Sequence, residues 1–511
     1  MSCPPELKRN EFVPWSRGRG VDVWAMFVAA MNGDLETMET LVAGDPGLVE
    51  CEFEYLTPLH FAVRENQLAV VKYLLGKGID PNYGFGQSPM DMARQRGYTE
   101  LGEYLEAWLK EHYGIVPEGE TMAAAIKAFD IERVRELVGA RPELVHAADM
   151  RGNRPIHWAA LTRQIELIDY LLSQGADIGA MRPDGARPID LTGGDYHYRS
   201  WYRDLPPTGL QKHEVVVGYL MARGAYCDIS VAAKIGYYQR VKELLDQDAG
   251  LVNRLPDYVT YYNGLPLRNA AAAGQMEIVK LLLERGANVN EPEPGIAPFG
   301  GAMHSAIGGR QYAIARLLLE RGADPNATVE SSGDLLHMAR HVGAPAEFIE
   351  LIASRATNRD KDVVGYELDA DALAAALAAD PEAPVDHHLG YLISADMQPQ
   401  LELILRYQPD IFRKQTLLSG AWWDGGTFKT PEQARWLMEH GLDPRLRNWL
   451  GMTALHRCAA KGLIDVAAVL LAFGADINAV ETERLETPRA WAVRHEKLEM
   501  AEWLREKGGI L

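Results

Sequence analysis

The sequence predicts an all-α solenoid in which pairs of short helices recur along nearly the whole chain and stack on one another. Three observations carry this expectation. Apolar residues return at helical spacing in short runs, as in Val70, Val71, Leu74 and Leu75. The runs come in pairs, separated by a polar turn such as Glu65–Gln67 and ended by a glycine such as Gly78. The pairs recur about every thirty-three residues, a period that survives from Phe27 to Ala490. Neither helix of a pair is long enough to bury its own apolar face. Each unit therefore needs a neighbour on both sides.

The clearest unit is TPLHFAVRENQLAVVKYLLGKGIDPN, residues 57–82. Thr57 is placed to cap the first helix with its hydroxyl, and Pro58 takes the first helical position, where no N–H is needed. Leu59, Ala62 and Val63 form its apolar side. Good copies are PIHWAA…IELIDYLLSQGAD at 155–177, AMHSAI…YAIARLLLERGADPN at 302–326 and TALHRCAAKGLIDVAAVLLAFGADIN at 453–478. In period and in lettering, above all the TPLH opening, these units resemble the ankyrin repeat family. The resemblance implies helix–turn–helix units joined by outward-projecting hairpins and stacked into a curved solenoid with one concave face. It implies protein–protein recognition as the usual role. It also implies that the TPLH histidines, here His60, His157, His304, His337 and His456, are structural and bond between neighbouring repeats.

The first unit, DVWAMFVAAMNGDLETMETLVAGDPGLVE, lacks the TPLH opening and reads as a cap. The third replaces the histidine with Asp91 and lengthens its second helix. Pro117–Gly119 begins a new segment with a second cap-like unit, MAAAIKAFDIERVRELVGARPELV, followed by repeats at His157 and Asp190. Regularity then fails. From Asp190 to Ser230 is forty residues, and the excess, TGGDYHYRSWYRDLPPTGLQKH, falls between the two helices of one repeat. Ser230 to Arg268 is thirty-eight, with LPDYVTYYNGLP in surplus, and Arg268 to His304 is thirty-six, with NEPEPGIAPFGGA in surplus. Residues 360–431 match least well. They comprise one helix in DADALAAALAADPEAPVD, a worn pair in LGYLISADMQPQLELILRYQPD, and a repeat interrupted by AWWDGGTFKT. The last unit, LETPRAWAVRHEKLEMAEWLREKGG, closes the array with a charged outer face. The reading is about fourteen units in three blocks, 1–116, 117–359 and 360–511, with loop insertions in the central repeats.

Bulk composition narrows the partners. A formal net charge of −19 over 511 residues argues against nucleic acid and against an anionic membrane surface, both of which draw on clustered Lys and Arg. No stretch is apolar and long enough to span a bilayer, and MSCPPELKRNEF has no secretory pattern. Cys3, Cys51, Cys227 and Cys458 lie far apart without CxxC spacing, which fits free thiols in a reducing compartment. A cytoplasmic protein is expected. HExxH, GxSxG, Walker A and strand-linked GxGxxG patterns are absent, so no metal or cofactor is called.

The insertions carry the candidate site. The first holds Asp195, Tyr196, His197, Tyr198, Arg199, Trp201, Tyr202, Arg203 and Asp204. The second holds Asp257, Tyr258, Tyr261 and Tyr262, the third Phe299, and the fourth Trp422, Trp423, Asp424 and Phe428. Rings interleaved with carboxylates and guanidinium suit a pocket that stacks a flat face and hydrogen-bonds its edges. Equally, they suit loops fastened to the solenoid by packing on one another. If the loops form a site, Asp195, His197, Asp257 and His304 are its candidate catalytic groups. Trp158, Tyr198, Trp201, Tyr258, Tyr261, Phe299, Trp422, Trp423 and Asp424 contact the ligand, and Arg199 or Arg203 meets an anionic group. The off-pattern histidines His213, His341, His387 and His388 complete the titratable candidates. Two readings follow. One is a recognition protein that binds a protein partner or small polar ligand in the concave groove. The other is a cofactor-independent hydrolase or lyase acting there on a small polar molecule, such as a glycoside. The insertion at 193–209 is expected to fold over the concave side and meet the loops at 257–264 and 296–302.

Overall fold

The computed structural model describes residues 2–13, 16–83, 88–195, 198, 211–297, 300–329, 333–356, 370–382, 385, 389–415, 428 and 430–511, without the side chains of 371, 372, 376, 391 and 394. Among these residues the regular structure is helical, and extended pairing is limited to isolated bridges such as Phe53 with Leu56 and Arg447 with Thr453. The chain forms two compact units, Glu11–Thr357 and Met1–Asn10 with Asn358–Leu511.

In the unit Glu11–Thr357 the helices come in pairs, for example Pro58–Arg64 with Leu68–Gly76, Pro155–Leu161 with Ile165–Ser173, and Ala302–Gly308 with Tyr312–Glu320. First helices pack on first helices and second on second, as Ile229–Lys234, Pro266–Ala272 and Ala302–Gly308 do in succession. The apolar faces read from the sequence are the buried ones: Leu59, Ala62, Val63, Val70, Val71, Leu74 and Leu318 are all 1% exposed or less. The polar turn between paired helices takes a left-handed residue, Asn66 at φ 56° in the unit at 57–82. Thr57 departs from expectation. Its backbone is extended and Pro58 follows at the first turn, but the hydroxyl caps no amide. At the equivalent Thr453 the hydroxyl lies 2.9 Å from His456 Nδ1, which also accepts from the Thr453 amide at 3.2 Å, so threonine and histidine form a reciprocal cap.

The repeat histidines His157 and His456 bond to backbone. His157 Nδ1 accepts from the Arg154 amide at 3.1 Å, and Nε2 donates toward the carbonyls of Ala180 (3.0 Å) and Ala186 (3.3 Å) in the next hairpin. Burial drives its pKa down to about 3 and that of His456 to about 4. Both rings are neutral fasteners between repeats.

At 113–119 the stack changes character. The lengthened helix Thr99–Tyr113 ends on left-handed Gly114, and Ile115 pairs in parallel with Ala148. The segment passes so close to that neighbour that a Cβ on Gly119 would fall 2.0 Å from the Ala148 carbonyl oxygen. Further along, Pro188–Leu191 makes only a short 3-10 turn before the insertion, and the partner helix resumes at His213–Ala222.

The second unit is built from the same pairs, Leu389–Ser394 with Gln398–Tyr407, Ala454–Lys461 with Ile464–Ala472, and Pro488–Arg494 with Leu498–Glu506. Its core is continuous from Leu373 to Leu504 and includes Phe412, Phe428 and Leu437. Its final repeat exposes apolar side chains beside its charges, with Leu498 70% exposed.

Candidate functional site

Two consecutive hairpins, at 149–153 and 182–186, build the centre of the site. Each is closed by backbone bonds, Asp149 with Asn153 and Arg182 with Ala186, and each turns on a left-handed glycine, Gly152 or Gly185. They stack closely: a Cβ on Gly152 would sit 2.4 Å from Pro183 Cδ. Stacking places Arg182 against the hairpin before it, where it is 2% exposed.

A buried guanidinium needs partners for its donors. Arg182 Nε and Nη2 donate to Asp184 at 3.0 and 2.6 Å, and Nη1 donates to Asn153 Oδ1 at 2.8 Å and to the Asp195 carboxylate. The guanidinium also lies 5.5 Å from the Tyr258 ring centre. Burial opposes its charge, but Asp184 and Asp195 outweigh that and keep it firmly protonated. Next to it, Asp149 accepts from Trp158 Nε1 at 2.8 Å and from the Asn153 amide at 2.9 Å, and Asn153 Nδ2 donates to the Tyr198 hydroxyl at 3.0 Å. The Tyr198 ring packs on Trp158 with centres 4.7 Å apart, and Lys127 covers the indole at 4.7 Å. Burial raises the carboxyl pKa of Asp149 against the pull of these hydrogen bonds.

Asp195 and Tyr198 thus lay the start of the first insertion across helix Pro155–Leu161 and the two hairpins. Both ends of the insertion are tied to one residue. Arg163, itself left-handed at φ 57°, donates from Nε to the Thr192 carbonyl at 2.9 Å and from Nη1 to the Gln211 carbonyl at 3.2 Å.

Asp195, Tyr198, Trp158 and Tyr258 therefore come together around Arg182. Asp257 is next to them but engaged elsewhere: Arg187 Nη2 donates to it at 2.6 Å, and its side chain is 58% exposed. The two aspartates are each held by a different arginine. Tyr261 offers its carbonyl to Arg268 Nη1 at 2.9 Å, and its ring meets Tyr262 edge-on at 5.2 Å. His304 is buried on helix Ala302–Gly308. His197, Arg199, Trp201, Arg203, Phe299, His387, His388, Trp422, Trp423 and Asp424 lie outside the described residues.

A second buried ion pair organises the next loops. Arg268 Nε donates to Glu293 at 2.9 Å, while Nη2 donates to the carbonyls of Thr260 (2.6 Å) and Asn263 (2.7 Å). A Cβ on Gly301 would lie 2.6 Å from Arg268 Cδ, so the loops at 257–264 and 300–301 meet on this side chain.

Sequence reasoning missed Arg182, Asp149, Asn153, Arg163 and Arg268, which do the holding. One signal was present: Asp149 and Arg182 stand thirty-three residues apart, so opposite charges occupy equivalent places in adjacent hairpins. Two further carboxyls, Asp80 and Asp190, have pKa values raised to about 7, mainly by burial and then by the charges of Asp184 and Asp228 respectively. Chemically, Arg182, Asp184, Asp195, Asn153, Asp149, Trp158 and Tyr198 serve one another as donors and acceptors, whereas Asp80 and Asp190 carry carboxyl pKa values of about 7. Among the described residues no cluster of His, Cys, Asp or Glu is arranged to hold a metal ion. No described helix is long and apolar enough to cross a membrane.

A family model described as ankyrin repeats matches residues 26–110, 229–329 and 426–510, and a single ankyrin repeat matches 151–182. The chain is similar to alpha-latrocrustotoxin-Lt1a of Latrodectus tredecimguttatus, 29% identical over 160 residues, covering 31% of this chain and 9% of the toxin. It is similar to palmitoyltransferase AKR1 of Lachancea kluyveri, 24% identical over 204 residues, covering 31% of this chain and 27% of that protein. A third similarity, to human palmitoyltransferase ZDHHC13, is 29% identical over 139 residues, covering 26% of this chain and 22% of the relative. The matched stretch spans no more than 27% of the length of any of these relatives.

Proposed function

Because this chain belongs to the ankyrin repeat family, we propose that it is a cytoplasmic recognition protein that holds a protein partner against its hairpins and first helices, the side the family makes concave. One observation carries the reading to particular residues. Three successive links between repeats each expose a large apolar or aromatic side chain: Met181 at 40%, Tyr226 at 54% and Tyr262 at 45%. Met and Tyr are the residue types that interfaces concentrate, and one in each successive link offers a partner successive anchors. With a net charge of −19, the partner is expected to present basic residues around those anchors.

The test is cross-linking of the full chain to its partner, with the linked residues mapped by mass spectrometry. Links are expected at the hairpins, and Met181→Glu combined with Tyr226→Ala and Tyr262→Ala should weaken binding by at least ~tenfold. Links confined to the second helices, or a triple variant that binds as tightly as the parent, would overturn the reading.

A second reading is supported by Asp80 and Asp190, whose carboxyl pKa values burial raises to about 7. It is acid–base hydrolysis or elimination on a small polar molecule, such as a glycoside, without a cofactor. Turnover of a glycoside panel that disappears in both Asp80→Asn and Asp190→Asn would favour it over recognition alone. An inactive parent chain would exclude it for that panel.

A further inference from the structure

Lys234 is the last residue of helix Ile229–Lys234, in the first-helix row, and its side chain is partly buried. Surface lysines nearby are held by carboxylates, Lys242 by Asp246 at 2.6 Å and Lys280 by Glu277 at 2.8 Å. Lys234 is not. Among the described residues its Nζ makes one hydrogen bond, to the Tyr262 carbonyl at 3.1 Å, and it forms no ion pair. A neutral amine can also donate that bond.

The surroundings disfavour the ammonium. Gly193, at the entry to the insertion, packs beside the amine: a Cβ there would lie in ordinary contact, 3.4 Å from Nζ and 3.7 Å from Cε. Three titratable or charged groups act on it or feel it. Arg268 is a permanent cation, Asp190 an acid with its own raised pKa, and His213 a base whose protonation the lysine opposes. Burial first and Arg268 second lower the lysine's pKa, against the weaker opposing pull of Asp190. The free amine of Lys234 is correspondingly favoured relative to an ordinary lysine.

We propose that Lys234 is a nucleophilic amine that captures small aldehydes as imines, a covalent modification site whose nitrogen is bonded to the backbone of Tyr262, one of the proposed partner anchors. The Nζ lone pair attacks the carbonyl carbon and forms the C–N bond. The amine's two hydrogens pass to the carbonyl oxygen, one as the carbinolamine forms and one as its C–O bond breaks, so the oxygen leaves as water while the nitrogen lone pair closes the C=N bond. No electron donor or acceptor is needed.

The test treats the intact chain with pyridoxal at pH 7, reduces the adducts with borohydride and maps them by mass spectrometry. Lys234 is expected to be labelled about fivefold or more faster than Lys242 and Lys280, which are held by carboxylates. Lys234→Arg keeps a cation, cannot form the imine, and should remove that adduct alone. Labelling of Lys234 at or below the rate of Lys242 and Lys280 overturns the proposal. That comparison is made on the unmodified chain and does not depend on a variant folding.

Discussion

Replacing Asp195 with alanine separates a fastening role from a freely poised acid. In the folded chain its carboxylate is 1% exposed and bonded to Arg182, which is 2% exposed. Removing one member of a buried pair costs about 3–5 kcal/mol, because the other charge is left without compensation. Here Asp184 at 2.6 Å and Asn153 at 2.8 Å still hold the guanidinium, so the lower end, about 3 kcal/mol, is expected. Asp257→Ala is the matched control. Its pair with Arg187 is of similar length, but the carboxylate is 58% exposed, and such pairs contribute about 0–1 kcal/mol. A solenoid can lose structure locally, so the assay is urea unfolding combined with amide hydrogen exchange across 180–198. Asp195→Ala should lower the midpoint and speed exchange at Arg182, Gly185 and Tyr198, while Asp257→Ala changes neither. If the two variants unfold alike, Arg182 does not depend on Asp195 and the fastening argument fails.

Leu74→Ala and Leu318→Ala, both at fully buried positions, should each destabilise by ~2–5 kcal/mol, and the double variant should lose the sum, as read from urea midpoints. Gly119→Ala drives a Cβ against the Ala148 carbonyl at 2.0 Å and should lower the melting temperature more than Gly139→Ala, where space is open. His157 has a folded pKa of about 3 against an ordinary 6.5, so the stability it carries is present above about 6.5 and is lost as pH falls toward about 3. His157→Gln should flatten the midpoint's pH dependence across that window. Asp80 has the opposite sign, with a folded pKa of about 7 against 3.8: its contribution is present below 3.8 and lost as pH rises through about 7. Asp80→Asn should therefore raise the melting temperature at pH 8 and leave it nearly unchanged at pH 4.

The helical pairs, their buried faces and the place of the first insertion were legible because each depends on local periodicity or on a broken period. Leu74 and Leu318 needed only spacing, and the gap between Asp190 and Ser230 located the extra chain between two helices. The Thr57 hydroxyl, expected to cap, caps no amide, although the extended backbone and Pro58 that accompany a cap are in place. The core of the site was legible only as a list of rings. What decides the positions of Asp195 and Tyr198 is Arg182, and an arginine in a hairpin looks solvent-exposed until the preceding hairpin is stacked on it. Asp80 and Asp190 were invisible as titrating groups for a similar reason. Their shifts come from burial and from Asp184 and Asp228, neighbours that only the fold supplies.

Arg163 binds the backbone on both sides of the first insertion, at Thr192 and at Gln211, and this makes the length of chain between them nearly independent of the stack. Closing a loop between fixed ends costs only about 0.6 kcal/mol more for each doubling of its length. With the ends clasped and Asp195 and Tyr198 fastened to the hairpins, the part of the insertion beyond Tyr198 is free to be shortened, extended or exchanged while the repeats on either side keep their register. The same frame can then display new segments in succession, so this position is where a lineage, or a designer, can change what the surface recognises without rebuilding the protein beneath it.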